Sequence, residues 1–248
     1  MPEVQRPELA TVLDLPVHLL NRYTDWLLDQ VGQHGVHVVT LNAEMAMQAE
    51  QNESLAAVIR KAELVIPDGA GVVLYLKLRG RQVERCPGIE LSESLLERLP
   101  RLEQSASVFF YGAAPGTSQA AADEWRRRVP TLTIAGAQHG YLNPEEQEQL
   151  KQTLQQLQPQ VILVGLGVPR QEFWIAEHRY LCPNSIWIGV GGSFDIWAGT
   201  KARAPGWLRN NNLEWVYRLY QEPWRWRRML ALPKFAWRSV MSGWANRG

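Results

Sequence analysis

Asp68 closes the apolar run Leu64-Val65-Ile66-Pro67, so a carboxylate stands where a buried strand would emerge from the protein. Partial burial raises a carboxyl pKa toward the range a general base needs. The same residue at the same place equally caps a helix over 69–78. Thr40 and Asn42, two apart at the exit of another apolar run, share one face. They offer a hydroxyl and an amide to a sugar, or cap the next helix. Gln171 and Glu172 open a helical pattern after a Gly-x-Gly-x-Pro turn. A neutral Gln there hydrogen-bonds a ligand, whereas Glu172 complements the helix dipole. Asp195, after Gly191-Gly192-Ser193-Phe194, is equally a first-turn carboxylate.

This is acid/base and sugar-hydroxyl chemistry without a metal. No Asp-x-Asp occurs, and His18, His34, His37, His139 and His178 show neither His-x-His nor HExxH spacing. No metal site and no cofactor is expected, so arginines or backbone N–H groups would neutralise a leaving phosphate. The common glycine fingerprints fail as well. Gly165-Leu166-Gly167 and Gly189-Val190-Gly191 both lack the third glycine of GxGxxG, and the stretch Gly112 to Ser118 lacks GK[ST]. Backbone N–H groups at helix N-termini remain as a phosphate holder that needs neither motif.

The elements that must carry these residues alternate. Short β-branched runs at 36–41, 63–67, 107–111, 132–135, 161–164 and 185–190 alternate with helical spacing at 44–60, 89–99, 117–128, 144–157 and 170–180. That pattern predicts an α/β fold, Rossmann-like, with a mainly parallel sheet flanked by helices. Asn143-Pro144-Glu145-Glu146 marks a helix start by cap, first-turn proline and carboxylates. Ligands bind at the carboxyl ends of such strands. Five of those ends are rich in glycine and polar residues: 40–42, 67–69, 111–113, 165–172 and 189–195. Five ends around one crevice suit a nucleotide-sized ligand.

The 248 residues are 46% hydrophobic and 21% charged, with 26 Lys+Arg against 25 Asp+Glu. No run is long enough for a membrane-spanning helix, and no basic, apolar leader opens the chain. A cytoplasmic protein is expected, with Cys86 and Cys182 as free thiols. The near-neutral total conceals an asymmetry. Residues 201–248 hold ten Lys/Arg against two Asp/Glu, a local +8, leaving −7 on the first 200, and six of eleven tryptophans lie in the same last fifth. The domain reading is therefore a catalytic unit over 1–200 and a basic, Trp-rich helical appendage over 201–248.

In that appendage Trp237, Val240/Met241 and Trp244 fall on one helical face, while Pro223 and Pro233 divide it into at least two helices. Such a segment lies in a membrane interface. At about 1 kcal/mol per basic residue near an anionic leaflet, a +8 tail supports reversible attachment. Two other readings stand beside this one. Arg/Trp-rich segments bind single-stranded nucleic acid, but no RNA-binding fold accompanies this one, so no nucleic-acid partner is expected. The tail also has the means to pack on its own body or on a second subunit.

Taken together, several ordered motifs resemble one family. They are Thr40-Leu-Asn42, Ile66-Pro67-Asp68-Gly69, Arg85-Cys-Pro-Gly88, Gly165-Leu-Gly167-Val-Pro169-Arg-Gln171-Glu172, Gly189-Val-Gly191-Gly192-Ser-Phe-Asp195, Arg203-Ala-Pro205, and Leu213-Glu214-Trp215-Val-Tyr-Arg218-Leu with Glu222-Pro223. In order, from about residue 36 to 230, they resemble the WecG/TagA/CpsF family of bacterial glycosyltransferases. The resemblance implies metal-independent, inverting transfer of a sugar from UDP to a polyprenyl-diphosphate-linked sugar at the cytoplasmic membrane face. Familiar members move N-acetylmannosamine, or its uronic acid, onto undecaprenyl-diphosphate-GlcNAc. On this resemblance Asp68 matches the catalytic base, Thr40 and Asn42 a sugar-pocket pair, and Arg85 a substrate-contacting arginine. Gln171 lies in the Pro-Lys-Gln-Glu signature, and Gly167 and Gly191 join the substrate-binding set. Arg218, Arg225 and Arg228 match arginines that reach over the site to a diphosphate.

The sequence departs from the family pattern at three places. Arg170 replaces the usual Lys, Glu90 stands where Asp is common and adds a methylene at an expected pocket edge, and Pro87 restrains Cys86 beside Arg85. A reading from another class is a non-catalytic membrane- or polymer-associated binding protein on the same fold. A third is a different nucleotide-dependent enzyme.

Overall fold

The computed structural model describes residues 7–211 and 213–245, and the side chains of residues 225, 227, 228, 240 and 242–245 lie outside the described residues. The chain opens with a hairpin of β1 (Glu8–Val12) and β2 (Leu15–Leu19), paired antiparallel from Glu8↔Leu19 to Val12↔Leu15. Sequence patterning did not reveal it. Its turn residues Leu13 and Asp14 both take positive φ, a conformation normally signalled by Asn-Gly.

Then follow α1 (Tyr23–Gln30), β3 (Val36–Leu41), α2 (Ala43–Gln51), α3 (Glu53–Lys61), β4 (Leu64–Pro67), α4 (Ala70–Lys77), α5 (Gly88–Arg98), β5 (Ser107–Gly112) and α6 (Thr117–Arg128). After them come β6 (Thr133–Gln138), α7 (Pro144–Leu157), β7 (Val161–Gly165), α8 (Arg170–His178), β8 (Ile186–Gly189) and α9 (Ser193–Trp197). The expected helix over 44–60 is two. Asn52 ends the first and caps the second, its side chain accepting the Leu55 N–H at 3.1 Å. The start of α7 is a capping box between Asn143 and Glu146, which is why its boundary was readable.

The six predicted runs form one six-stranded sheet ordered β4-β3-β8-β7-β5-β6, with every neighbouring pair parallel. The fold is α/β and Rossmann-like. Helices cover both faces, so every residue of β3, β4, β7 and β8 is buried, and such strands read as continuous apolar runs rather than alternating ones. One face packs Leu95, Phe110, Trp125, Phe194 and Trp197. Across the sheet lie Leu41, Met45, Ile59, Val65 and Tyr75.

The C-terminal segment forms α10 (Gly206–Asn210), α11 (Glu214–Gln221), α12 (Trp226–Met229) and α13 (Ala231–Ala245). Pro223 opens the short turn before α12, and Pro233 sits in the first turn of α13, where a missing N–H breaks no helical bond. The segment packs on the body. Phe235 is 3% exposed, its ring 5.9 Å from that of Tyr75, and Arg238 pairs with Glu50. Trp237 lies about 200° around the helix from Phe235 and is 67% exposed, with Met241 beside it 49% exposed. The charge changes sign at residue 200, but the packing continues across it. Among the described residues no helix is long and apolar enough to cross a membrane.

Candidate active site

A cleft of about 190 Å³ opens at the carboxyl ends of β3, β4, β7 and β8. It lies where β3 turns outward to β4 on one side and borders β8 on the other, the switch point at which parallel sheets leave room for a ligand. Four of the five predicted strand ends line it. The fifth, 111–113, does not, because Gly112 packs on β7. A Cβ on Gly112 would lie 2.5 Å from the Gly165 carbonyl carbon, and the Ala113 N–H donates to Gly165 O at 2.8 Å.

Asp68 emerges from β4 into this cleft. Its backbone N–H donates to Leu41 O at 3.0 Å, and the Cys86 N–H donates to Pro67 O at 3.0 Å, strapping residues 85–87 against the strand end. The Asp68 carboxylate accepts the Gly88 N–H at 3.1 Å. It therefore serves the first turn of α5, twenty residues on, while α4 starts at Gly69 without any side-chain cap. A Cβ on Gly88 would meet Thr40 Cγ2 at 2.6 Å, so only glycine lets α5 approach this closely. Burial pushes the Asp68 carboxyl above its ordinary pKa and Glu214 adds to the rise. The Arg218 charge, the Gly88 N–H and the Arg85 charge pull against it without cancelling it. Burial, with Asp68 and Glu90 nearby, pushes the Cys86 thiol up to about 12, so it stays protonated.

Thr40 and Asn42 line the cleft beside Asp68. The Thr40 hydroxyl donates to Gly189 O at 3.4 Å. The Asn42 oxygen accepts the Met45 N–H at 3.0 Å and caps α2, which leaves the amide nitrogen as the group with donors to spare.

Gln171 is 1% exposed, and its side chain works inward. Its oxygen accepts the N–H groups of both Gly167 (3.2 Å) and Gly191 (3.1 Å). Its nitrogen donates to Glu172 Oε1 at 3.0 Å, and Glu172 Oε2 accepts from His37 Nε2 at 2.8 Å. A buried chain from β3 through α8 thus ties the β7 and β8 loops together. Gln171 thus acts as an internal bracket while also lining the cleft, with one amide N–H beyond its bond to Glu172. It also withdraws the Gly167 and Gly191 N–H groups from phosphate binding. Both glycines have positive φ, +75° and +52°, and open space where a Cβ would go, so backbone conformation rather than room selects them. Glu172, read from sequence as a dipole partner, is fully buried in this chain with His37. No local pattern links residues 135 apart.

The cations come from both body and tail. Arg85 and Arg218 grip opposite oxygens of Glu214, at 2.9 and 3.2 Å. Burial alone would raise the Glu214 carboxyl, but Arg218 and Arg85 outweigh it and hold it below its ordinary pKa. Lys201 lies 3.0 Å from both Asp195 and Glu222. Arg203 pairs with Glu90, to which Arg209 also reaches at 3.4 Å. Glu90 is therefore a clasp between α5 and the tail, beside the cleft residues Ile89 and Arg203 but outside the lining of that cleft itself. The side chains of Arg225 and Arg228 lie outside the described residues. Sequence reasoning named Glu214 only within a motif and gave it no role; its local signal was its place one helical turn before Arg218.

Two relatives share most of this length. A protein of Bacillus spizizenii (strain ATCC 23059 / NRRL B-14472 / W23), named N-acetylglucosaminyldiphosphoundecaprenol N-acetyl-beta-D-mannosaminyltransferase, is 39% identical over 209 residues, covering 84% of this chain and 79% of the relative. One of the same name from Bacillus subtilis (strain 168) is 34% identical over 203 residues, 82% of this chain and 78% of its own. Residues 10–248 match the glycosyl transferase WecG/TagA/CpsF family, a span that runs from the N-terminal hairpin through the cleft to the end of the tail. This chain accordingly belongs to the WecG/TagA/CpsF family of glycosyl transferases.

Proposed function

We propose that the protein transfers an N-acetylmannosamine-type sugar from UDP to a polyprenyl-diphosphate-linked N-acetylglucosamine, such as undecaprenyl-diphosphate-GlcNAc. The transfer inverts the anomeric centre, needs no metal, and serves cell-surface polysaccharide or teichoic-acid-type synthesis. The observation that carries this reading is Asp68: a carboxyl raised by burial, held by the Gly88 N–H, and set in the cleft beside Thr40 and Asn42. As the acceptor hydroxyl attacks the anomeric carbon, Asp68 takes its proton. The carbon–oxygen bond to UDP breaks through an oxocarbenium-like state, and its electron pair leaves on the phosphate oxygen. One displacement with no covalent intermediate inverts the centre. Arg218, Arg203 and Lys201 border the same cleft and supply positive charge for the leaving diphosphate; Arg225 and Arg228 join them on the sequence reading.

The tail supports peripheral attachment at the inner face of the cytoplasmic membrane. Trp224, Trp226, Trp237 and Met241 are exposed, and aromatic and basic side chains together favour the headgroup layer. Asp68→Asn tests the base. Transfer, followed as released UDP, should fall by about 10²–10⁴-fold while UDP-sugar binding by calorimetry persists. Unchanged turnover removes the assignment. A wild-type chain that binds these ligands but transfers nothing would favour the non-catalytic reading.

A further inference from the structure

The strand that delivers Asp68 lies at the edge of the sheet. β4 has β3 on one side, in register from Val38↔Leu64 to Leu41↔Pro67, and among the described residues no strand of the sheet lies on its other side. All four residues of β4 are buried. The backbone groups of its outer edge therefore have no water to turn to and need partners from elsewhere in the chain. Residues two apart present the same edge of a strand, and on this edge two are held. The Val65 N–H donates to Nδ1 of His18 at 2.9 Å, and Pro67 O accepts the Cys86 N–H at 3.0 Å. The next residue is Asp68.

His18 belongs to the N-terminal hairpin, and its own place is fixed twice. It pairs with Leu9 across β1 and β2, and the Tyr23 hydroxyl donates to His18 O at 2.8 Å. A backbone N–H can only donate, so Nδ1 is the bare nitrogen and the ring is neutral with its proton on Nε2. Burial pushes the His18 pKa below its ordinary value, which favours that neutral form. We propose that His18 is a positioning residue for the transfer reaction: its ring fixes the outer edge of β4, and with it the place of Asp68 against the Gly88 N–H. The inference rests on Asp68 being the base. None of the described hairpin residues lines the cleft, so His18 acts through the strand and not by touching a substrate. A shifted base leaves ground-state binding of the donor alone but weakens proton removal in the transition state, where a misplacement of about 1 Å costs about 100-fold.

Asparagine sets its Oδ1 as many bonds from Cα as histidine sets Nδ1, whereas leucine offers no acceptor. In the full-length protein His18→Leu should lower kcat about 10- to 100-fold and leave the KM for the UDP-sugar within about twofold. His18→Asn should bring kcat back to within about threefold of wild type. Hydrogen exchange at the Val65 amide reads the bond directly: it should quicken in His18→Leu and return toward the wild-type rate in His18→Asn. A wild-type kcat in His18→Leu overturns the proposal, as does a change confined to KM, an asparagine variant as slow as the leucine one, or unaltered Val65 exchange. If His18→Leu fails to fold, His18→Gln carries the test, because its acceptor sits one bond farther out. It should lose turnover that His18→Asn keeps, and equal turnover in the two overturns the proposal. If the wild type transfers no sugar, the reading of Asp68 as the base is what fails, and Val65 exchange in the same variants still decides whether His18 holds the strand.

Discussion

Replacing Gln171 by alanine removes one amide that makes three hydrogen bonds, to the N–H groups of Gly167 and Gly191 and to Glu172. A buried polar group left without its partner costs about 1–3 kcal/mol. The two glycine N–H groups border the cleft and would recover water, so about 1 kcal/mol each applies. Glu172 Oε1 is fully buried and takes the upper end, giving roughly 4–5 kcal/mol in all. That is a large share of the 5–15 kcal/mol typical of a folded domain. At about 2–4 °C per kcal/mol for a chain of this size, the midpoint should fall by roughly 8–20 °C. Thermal and urea unfolding of the ligand-free protein measure it, with UDP binding recorded where the variant is still folded. If the midpoint stays within about 2 °C of wild type while only a substrate KM rises, Gln171 is a ligand contact and the bracket is wrong. Gln171→Glu sharpens the test. It keeps an acceptor for both glycines but sets a new buried carboxyl beside Glu172, where burial and the neighbouring carboxylate oppose ionisation of the new group. Relative to wild type, its stability should therefore decline as the pH rises and the introduced carboxyl ionises.

Two neighbours should displace the acidic limb of the kcat/KM profile in opposite directions. Glu214→Gln removes a charge that raises the Asp68 pKa, so the limb moves to lower pH. Arg218→Gln removes a charge that lowers it, so the limb moves to higher pH. Displacement of both in the same direction, or of neither, would remove Asp68 as the titrating base. At the tail, Trp237→Ser with Met241→Ser alters only the outward face of α13 and leaves Phe235 in place. Withdrawing a large apolar side chain from water is worth about 1.5–3 kcal/mol, so sedimentation with anionic vesicles should weaken at least tenfold with an unchanged melting temperature. Binding as tight as wild type would remove the membrane role of this face. Truncation after Thr200 should abolish vesicle binding too, but it also takes Phe235 out of the core.

Local rules made much of the fold legible. Strands β3, β4, β7 and β8 are short apolar runs because both of their faces are covered, and α6 and α7 begin and end where the helical spacing and the Asn143 box put them. The N-terminal hairpin was illegible because Leu13-Asp14 lacks turn chemistry. The break at Asn52 was hidden because the apolar spacing runs on through it.

By itself the sequence determined the alternating α/β order, the placing of Thr40, Asn42 and Asp68 at strand ends, and the charge contrast between body and tail. These depend on residue type and near-neighbour spacing. Tertiary structure alone decided which distant groups meet. It made Gln171 an internal bracket between two loops, joined it through Glu172 to His37, made Glu90 a clasp for Arg203, and set Glu214 between Arg85 and Arg218. It also folded the basic tail back over the site, so that Glu214 and Arg218 line the same cleft as Asp68. Partners 100 or more residues apart are chosen by burial, which demands that each enclosed charge and N–H find a counterpart wherever the chain brings one near.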